Sequence, residues 1–409
     1  MSVDNHAWNI PVTRRELLGA TVALGTRPFD SQPSSAPADD KLIERVPLGK
    51  TGLKVTRLMA GGSFSGYGPR LLEFTYRKGV RSFDSGDFYA GYKAEAMLGE
   101  WINRTRRRKD VIIINKARTI DPKKFVDRLH EALEKMKIDT IDVFMFHSIA
   151  DPEVVLDRDG RWRKLKDRFI REKKIRFMGL STHAAMPARI ACLNNAAKSG
   201  WIDVVMPACD MGMIRNNAEL NKALDACAKA GIGMVAIKCM RGLGKAAKQP
   251  EKAREAFKNM GMSPHVAMLI GTLSDGRFAS VCTEMPNRKI IEENCAAARA
   301  FRKPFDARQW KQLDEGMKLL SRATCSGCDG SCQRAAGTQT DFCSIARYLA
   351  YYEEDGKRDL ARTLYNQLPP HRRDWQGADL KAASSACTSR LDFENILARA
   401  EKLLGERSA

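Results

Sequence analysis

The chain has 409 residues, of which 44% are hydrophobic, and its 69 Lys and Arg against 49 Asp and Glu give a formal net charge of +20. That length suits one large barrel of about 250 residues with additional segments. The basic excess is spread along the chain without a recognition-helix pattern or an aromatic-rich basic strand, so we expect no nucleic-acid binding. No run reaches the roughly 18 apolar residues of a membrane-spanning helix, so we expect no stable membrane insertion.

The N-terminal segment, residues 1–40, has the pattern of an export signal followed by a linker. Arg14 and Arg15 precede a short, weakly apolar run, and a Pro- and Ser-rich stretch, SQPSSAPADD, follows it. Together with a small-residue site near residues 34–36, this pattern resembles a twin-arginine signal and predicts export to the periplasm. The alternative is a disordered tail that contains two arginines by chance, and the protein would then be cytoplasmic.

Residues 41–305 alternate between predicted strands and helices. A short hairpin opens this segment, and amphipathic stretches such as residues 125–136 and 218–230 lie between eight apolar runs. Eight strands that alternate with helices over about 240 residues predict the α/β class and a closed (β/α)8 TIM barrel. A doubly wound sheet is the alternative, but no GxGxxG follows the first strand. The eight runs are residues 56–60, 80–84, 111–115, 141–146, 175–180, 202–206, 233–238 and 279–283.

Polar and ionisable residues follow the second, third and fourth predicted strands. They are Asp84 with nearby Tyr89, then Lys116, then His147. Reacting groups of such barrels lie at the C-terminal ends of the strands, so we expect these side chains to meet. Carbonyl reduction by hydride needs a proton donor, and Tyr89, with a usual pKa of about 10, is a weak acid at neutral pH. We expect Lys116 to lower that pKa, Asp84 to orient the lysine, and His147 to hydrogen-bond the carbonyl oxygen.

These residues and several longer stretches resemble the aldo/keto reductase family. The stretches are PLGKTGLKVTRLMAGG, FDSGDFYAGYKAEAMLG, KIRFMGLST and GIGMVAIKCMRGLG, and the resemblance covers residues 44–300. It implies an oxidoreductase that transfers hydride between a nicotinamide cofactor, NADP or NAD, and a small-molecule carbonyl or alcohol. It also implies that the catalytic residues are Asp84, Tyr89, Lys116 and His147.

The same resemblance implies a nicotinamide site without a Rossmann fingerprint. Ser181 and Thr182 stand where a Ser-Asn pair holds the carboxamide, and the loop MRGLG would lie over the diphosphate. Residues after the eighth strand would lie along the adenosine phosphate and the adenine. The implied cofactor-binding residues are Ser181, Thr182, Met240, Arg241, Gly242, Leu243, Gly244, Asn287, Arg288, Glu293 and Asn294.

The sequence departs from the family pattern after the sixth and eighth strands. Met206, Cys209 and Asp210 stand where the family has a Gln and a Tyr-Asn pair, so an aromatic platform for the nicotinamide is missing. Glu284 would repel an adenosine 2′-phosphate, and Arg288 would offset it, which leaves the choice between NADP and NAD open. A rival hypothesis is a non-catalytic barrel that acts as a binding or structural protein, with its cysteines holding zinc or disulfides.

Residues 306–409 are predicted to form a helical, cysteine-rich domain with a metal site. The stretch TCSGCDGSC places Cys325, Cys328 and Cys332 on one tight loop, and a four-thiolate site needs one more ligand. Cys343 and Cys387 are the two candidates. ACTSRLDFENILARAEKLL, around Cys387, resembles the end of a ferredoxin-type motif, and the aldo/keto reductases with a fused cysteine-rich domain have a helical spacer where Cys343 lies. This resemblance implies Cys387 as the fourth ligand.

We therefore expect one 4Fe-4S cluster held by Cys325, Cys328, Cys332 and Cys387, with an electron-transfer partner as a further expectation. Structural zinc or disulfides are the alternatives, and an exported protein permits both. A cluster also agrees with the twin-arginine signal, because that route carries folded, cofactor-loaded proteins. The six other cysteines sit singly in apolar segments and are expected to be buried: Cys192, Cys209, Cys227, Cys239, Cys282 and Cys295.

Overall fold

Eight parallel strands close into a barrel in the order β10-β3-β4-β5-β6-β7-β8-β9. Each of the eight predicted runs overlaps one of these strands, so the prediction of a (β/α)8 barrel is confirmed. A two-stranded antiparallel hairpin of β1 (Arg45–Pro47) and β2 (Lys54–Thr56) precedes the barrel. The barrel strands are β3 (Leu58–Ala60), β4 (Ser82–Asp84), β5 (Ile112–Ala117), β6 (Ile141–Phe146), β7 (Ile175–Thr182), β8 (Val204–Pro207), β9 (Gly233–Ile237) and β10 (Ser280–Thr283).

The computed structural model describes residues 42–62, 68–240, 243, 250–319, 325, 330–353, 356–387 and 391–405. The predicted export signal lies outside this part of the chain, as do Arg241, Gly242, Gly244 and Cys328. The described residues all belong to one structural unit. No helix in the described ranges is both long and apolar enough to cross a membrane.

Eleven helices accompany the barrel strands, and seven more follow in the described part of the chain. The first group is α1 (Gly68–Arg77), α2 (Ala94–Thr105), α3 (Pro122–Met136), α4 (Pro152–Leu156), α5 (Arg161–Arg171), α6 (Met186–Ser199), α7 (Met211–Asn216), α8 (Ala218–Lys229), α9 (Glu251–Lys258), α10 (Pro264–Leu273) and α11 (Arg288–Ala300). The second is α12 (Ala307–Leu319), α13 (Ser331–Ala335), α14 (Phe342–Glu353), α15 (Arg358–Asn366), α16 (Pro370–Arg373), α17 (Leu380–Ala386) and α18 (Phe393–Leu404).

Helix α3 shows why the amphipathic stretches fold as they do. The Asp121 side chain accepts a hydrogen bond from the Lys124 backbone N–H at 2.8 Å, which caps the helix, and Pro122 is tolerated in the first turn. Lys137 adopts φ +51° and ends the helix. Phe125 and Leu129, one turn apart, are fully buried against the barrel.

Alternation along the strands separates two apolar layers. On β6, Val143 and Met145 belong to the cluster that fills the barrel, whereas Phe144 and Phe146 belong to the cluster between strands and helices. The same period of two applies to β5, where Ile112 and Ile114 point inward. Residue 116 therefore points into the barrel and residue 115 points out toward the helices.

The helices after the barrel divide between two hydrophobic clusters. Leu313 of α12 is fully buried in the cluster between strands and helices. A separate cluster includes Cys325, Phe342 and Phe393, and its helical members lie on α13, α14, α15, α17 and α18. Helix α12 thus packs on the barrel, and the predicted domain boundary at residues 305 and 306 stays a prediction.

Candidate active site

The structure brings the four predicted catalytic side chains together at the C-terminal ends of neighbouring strands. The Tyr89 hydroxyl lies 3.3 Å from Nε2 of His147. Lys116 Nζ is hydrogen-bonded to Asp84 Oδ1, donates to the Ser85 carbonyl at 3.2 Å, and lies 5.2 Å from the centroid of the Tyr89 ring. Asp84 and Lys116 are almost fully buried, so this ion pair lies beneath the tyrosine, shielded from solvent.

The Tyr89 ring is positioned by close packing on two sides. A Cβ at Gly62 would stand 2.2 Å from Cδ2 of Tyr89, so only glycine leaves room for the ring. Phe88 stacks on His147 with ring centroids 4.9 Å apart and an interplanar angle of 9°. The Tyr89 ring meets His147 edge-on, with centroids 5.5 Å apart, which directs the hydroxyl at the imidazole.

A buried polar network behind the barrel wall supports Lys116. The Asn115 side chain points outward, and its amide N–H donates to Glu95 Oε1 at 2.8 Å. Oδ1 of the same side chain accepts a hydrogen bond from the Lys116 backbone N–H at 2.7 Å. Glu95 also forms an ion pair with Arg128 of α3, and the Glu95 side chain is 1% exposed. This network joins α2, β5 and α3 at the level of the lysine, so it sets the position of the strand there.

Burial dominates the acid–base properties of the site. It raises the pKa of Tyr89 well above its usual value, and the nearby Asp84 carboxylate adds to this rise. The expectation that Lys116 lowers the pKa of Tyr89 stays a prediction; in this structure burial and the Asp84 carboxylate outweigh any such effect. Burial also raises the pKa of Asp84, and the Lys116 cation opposes that rise.

His147 is neutral at physiological pH. Burial lowers its pKa well below the usual value, and the cations Lys116, Arg118 and Lys238 lower it further. Its Nδ1 has no hydrogen-bond partner among the described residues and lies 3.9 Å from Asp87 Oδ1. A neutral imidazole with Nε2 facing the tyrosine hydroxyl can donate one hydrogen bond to a substrate oxygen.

A second histidine at the site was missed by the sequence analysis. His183 directly follows β7, and its ring centroid lies 6.3 Å from that of His147. Burial lowers the pKa of His183 well below the usual value, with contributions from Lys238 and Arg347. The rule that reacting groups follow strands would have found His183, since it comes directly after the stretch KIRFMGLST.

Helix α14 lies beside these strand ends, which no pattern in the sequence indicated. Arg347 of α14 donates from Nη1 to the His183 carbonyl at 3.2 Å. Tyr351, one turn further along, is close enough to Tyr89 for its ionised form to raise the pKa of Tyr89. The predicted cysteine-rich region therefore contributes side chains to the edge of the candidate active site.

The residues predicted to hold the nicotinamide carboxamide are already engaged within the protein. Ser181 is fully buried, and its hydroxyl accepts from the Ser148 backbone N–H at 2.9 Å. Thr182 is also fully buried, and its hydroxyl lies 3.4 Å from the Ala184 backbone N–H. Met206 is buried inside the barrel, where it presents no aromatic face. This end of the predicted cofactor site fits a nicotinamide less well than the family pattern implies.

The residues predicted to hold the adenosine phosphate gather at and near the start of α11. Asn287 caps this helix by accepting from the Ile290 backbone N–H at 3.0 Å. Exposed Arg288 lies over the Phe74 ring at 5.0 Å. Glu293 instead accepts from the Ser263 hydroxyl at 2.6 Å, and Asn294 is buried. Of the predicted diphosphate loop, the structure describes Met240, which is half-buried, and Leu243, which is buried.

The predicted metal ligands share one apolar environment. Cys325, Cys332 and Cys387 are buried members of the cluster formed by the last helices, and Cys343 packs against it. Within the described residues no set of three or more His, Cys, Asp or Glu side chains is arranged to hold a metal ion. The six cysteines expected to be buried are all buried.

Comparisons with known proteins agree with the fold and with the resemblance to the aldo/keto reductase family. Residues 69–316 match the sequence model of the aldo/keto reductase family. The chain is 26% identical over 289 residues to L-galactose dehydrogenase of Arabidopsis thaliana, a match that covers 62% of this chain and 88% of that protein. An aldo-keto reductase of Strobilurus tenacellus is 26% identical over 180 residues, covering 41% of this chain and 51% of that protein. An aldo-keto reductase of Bacillus halodurans, solved in its holo form, has the same fold, with a TM-score of 0.56 and 17% sequence identity. The superposition covers 67% of this chain and 96% of that chain.

Proposed function

The chain belongs to the aldo/keto reductase family, whose model it matches over more than half of its length, and is an oxidoreductase; we propose that it transfers hydride between a nicotinamide cofactor and a small carbonyl or alcohol. One observation carries the proposal. The Tyr89 hydroxyl and His147 Nε2 lie 3.3 Å apart above the buried ion pair of Lys116 and Asp84. The hypothesis of a non-catalytic barrel is not favoured, because a binding protein has no need of this arrangement.

The four residues have complementary parts in the reduction. A carbonyl oxygen that sits between Tyr89 and His147 receives a hydrogen bond from each. The hydroxyl proton then moves from Tyr89 to the oxygen as the C=O bond becomes a C–O single bond, and the O–H electron pair stays on Tyr89. The Lys116 cation stabilises the resulting phenolate, and Asp84 keeps the lysine in place. In the direction of alcohol oxidation, the phenolate takes the proton back.

The Tyr89 hydroxyl is protonated at neutral pH, so the proton is present when a carbonyl binds. Burial makes this hydroxyl a weaker acid than a free phenol, so we propose that proton transfer depends on stabilisation of the phenolate by the Lys116 cation. His147, neutral because of its burial, contributes a hydrogen bond without competing for the proton. When bound, a nicotinamide would supply the hydride to the carbonyl carbon, or accept it in the reverse direction.

The chain's own residues fit the phosphate end of such a cofactor better than its nicotinamide end. The start of α11, with the exposed Arg288 beside it, offers backbone N–H groups and a positive charge to a phosphate. Ser181 and Thr182, the last two residues of β7, lie close to the proposed catalytic residues, but their hydroxyl groups already have hydrogen-bond partners within the protein. We propose NADP or NAD as the cofactor, with Arg288 favouring and Glu284 opposing the 2′-phosphate of NADP.

Titration of NADPH and of NADH against the purified full-length protein, followed by nucleotide fluorescence, tests this proposal. Saturable binding of either nucleotide, together with its oxidation in the presence of an aldehyde, is the expected result. If neither nucleotide binds at millimolar concentration, the proposal is wrong. Arg288→Glu should weaken NADPH binding more than NADH binding if the 2′-phosphate lies near the start of α11.

We also propose a single 4Fe-4S cluster bound by Cys325, Cys328, Cys332 and Cys387, with zinc as the alternative metal. What supports it is the chemistry of the donor set, since three of these thiols are buried in one apolar cluster at the end of the chain. The cluster would carry electrons to or from a redox partner. Iron and acid-labile sulfide, each near four per chain in anaerobically purified protein, is the expected result. One zinc, or no metal, would exclude the iron–sulfur site.

Export through the twin-arginine route is a further part of the proposal. It rests on Arg14 and Arg15 and on the need to insert a cluster before export. Fractionation of cells that express the full chain should place the protein in the periplasm. The variant in which both arginines become lysine should remain in the cytoplasm, and an unchanged distribution would indicate that the segment is no signal.

A further inference from the structure

Helix α14 places the charged side chain of Arg347 at the edge of the catalytic site. Its Nη1 donates to the carbonyl of His183 at 3.2 Å, and the His183 ring lies 6.3 Å from that of His147. The residue is partly exposed, so a bound molecule can reach it. A ligand that is held by Tyr89 and His147 and extends toward His183 would approach this guanidinium.

The partners of Arg347 do not neutralise its charge. Its hydrogen-bond acceptors are the His183 carbonyl, the Ser344 hydroxyl at 3.1 Å and the Tyr348 hydroxyl at 3.2 Å. Among the residues that the structure describes, no carboxylate forms an ion pair with it. A partly buried guanidinium whose acceptors are neutral groups has no compensating charge, and a bound anion would supply one.

The surrounding charges at the strand ends are also positive. The pKa of His147 is lowered by the cations Lys116, Arg118 and Lys238. The pKa of His183 is lowered by Lys238 and Arg347. In both cases the nearby positive charges disfavour protonation of the histidine. Of the carboxylates near the tyrosine, Asp84 is already paired with Lys116, and Asp87 lies 3.9 Å from Nδ1 of His147. The site therefore has more positive than negative charge near the place where a substrate carbonyl would bind.

We propose that Arg347 is a specificity-determining residue and that the substrate is a carbonyl compound or alcohol carrying an anionic group, a carboxylate or a phosphate, which Arg347 binds. The planar guanidinium suits either group, since both present two oxygens to a pair of N–H donors. This inference rests on the proposed hydride transfer and adds the class of substrate. It also gives the C-terminal helices a part in substrate recognition.

The test compares aldehydes of the same shape but different charge in the full-length protein. The probes are 4-carboxybenzaldehyde, 4-formylphenyl phosphate and the neutral methyl 4-formylbenzoate. We expect kcat/KM of the wild-type protein to favour at least one anionic aldehyde over the ester by about tenfold or more, the scale of a hydrogen bond to a charged group. The preferred aldehyde distinguishes a carboxylate from a phosphate.

Arg347→Met should remove that preference and leave kcat/KM for the ester within about twofold, whereas Arg347→Lys should keep part of the preference. Arg358→Met, at an exposed position of α15, is the matched control and should behave as wild type. An equal fall for charged and neutral aldehydes in Arg347→Met, or no preference in the wild-type protein, would overturn the proposal, since Arg347 would then only hold α14 in place.

A binding measurement separates this inference from the proposed function. 4-(Hydroxymethyl)benzoate, the product of the carboxylate probe, should bind the wild-type protein in calorimetric titration at least about tenfold more tightly than it binds Arg347→Met. This difference in affinity should be present even if no aldehyde is reduced. Absence of reduction would contradict the proposed hydride transfer but would leave the anion site in place. Equal binding to both proteins would contradict the anion site itself.

Discussion

Nε2 of His147 lies 3.3 Å from the hydroxyl of Tyr89, although the two residues are 58 positions apart in the chain. They meet because His147 follows β6 and Tyr89 lies in the loop after β4, and the C-terminal ends of these strands open on the same side of the barrel. A carbonyl oxygen between the two groups would accept a hydrogen bond from each.

Removal of the Tyr89 hydroxyl should stop turnover without loss of the fold. We expect Tyr89→Phe to lower kcat by about 10²- to 10⁴-fold, the usual contribution of a general acid, while nucleotide affinity and thermal stability stay close to wild type. The measurement is nucleotide oxidation with a saturating aldehyde. Tyr92→Phe is the control, because Tyr92 is 69% exposed three residues further on. Equal loss in both variants would contradict a specific role for Tyr89.

A methyl group at Gly62 should displace the catalytic tyrosine. Its Cβ would stand 2.2 Å from Cδ2 of Tyr89 and 2.8 Å from the Asp84 carbonyl oxygen, so the ring or the loop must move. We expect Gly62→Ala to lower kcat by about 100-fold, as a displacement of about 1 Å can. Gly276→Ala, where the added Cβ meets nothing within 4 Å, should leave kcat unchanged. Full activity of Gly62→Ala would show that the observed ring position is not the active one.

Removal of one partner of the buried ion pair between Glu95 and Arg128 should destabilise the protein more than removal of both. Arg128→Met leaves the Glu95 carboxylate buried without its cation, so we expect a loss of about 3–5 kcal/mol in the free energy of unfolding. The double variant Glu95→Leu with Arg128→Met removes both charges and should lose less. Urea unfolding of the three proteins measures this. A double variant that is less stable than Arg128→Met would contradict the argument.

Acidification should destabilise the protein through His147, which is buried, and His183, which is half-buried. The pKa values of His147 and His183 are lowered in the folded state, so the unfolded state takes up more protons below about pH 6.5. Stability should therefore fall as the pH drops from 7 to 5. In His183→Gln this dependence should be shallower by up to about 1.4 kcal/mol per pH unit, measured as unfolding free energy at each pH. Parallel profiles would mean that His183 does not remain neutral.

Much of the barrel could be predicted because its signals are local. Each strand is a short run of apolar residues, and each intervening helix is an amphipathic stretch, as Phe125 and Leu129 of α3 illustrate. The order of Asp84, Lys116 and His147 at successive strand ends was sufficient to place them in one site, because a parallel barrel brings those ends to one side.

The sequence by itself therefore determined the barrel and the grouping of the four predicted catalytic residues. Only the tertiary structure decided the acid–base character of the site and what borders it. The pKa of Tyr89 depends on burial and on Asp84, which no spacing reveals. The contact between Arg347 and His183 joins residues 164 positions apart, from segments with separate hydrophobic clusters. The charge balance at Tyr89 and the position of α14 beside the barrel depend on distances in three dimensions. The patterns that predict strands and helices are properties of residues that are neighbours in the chain.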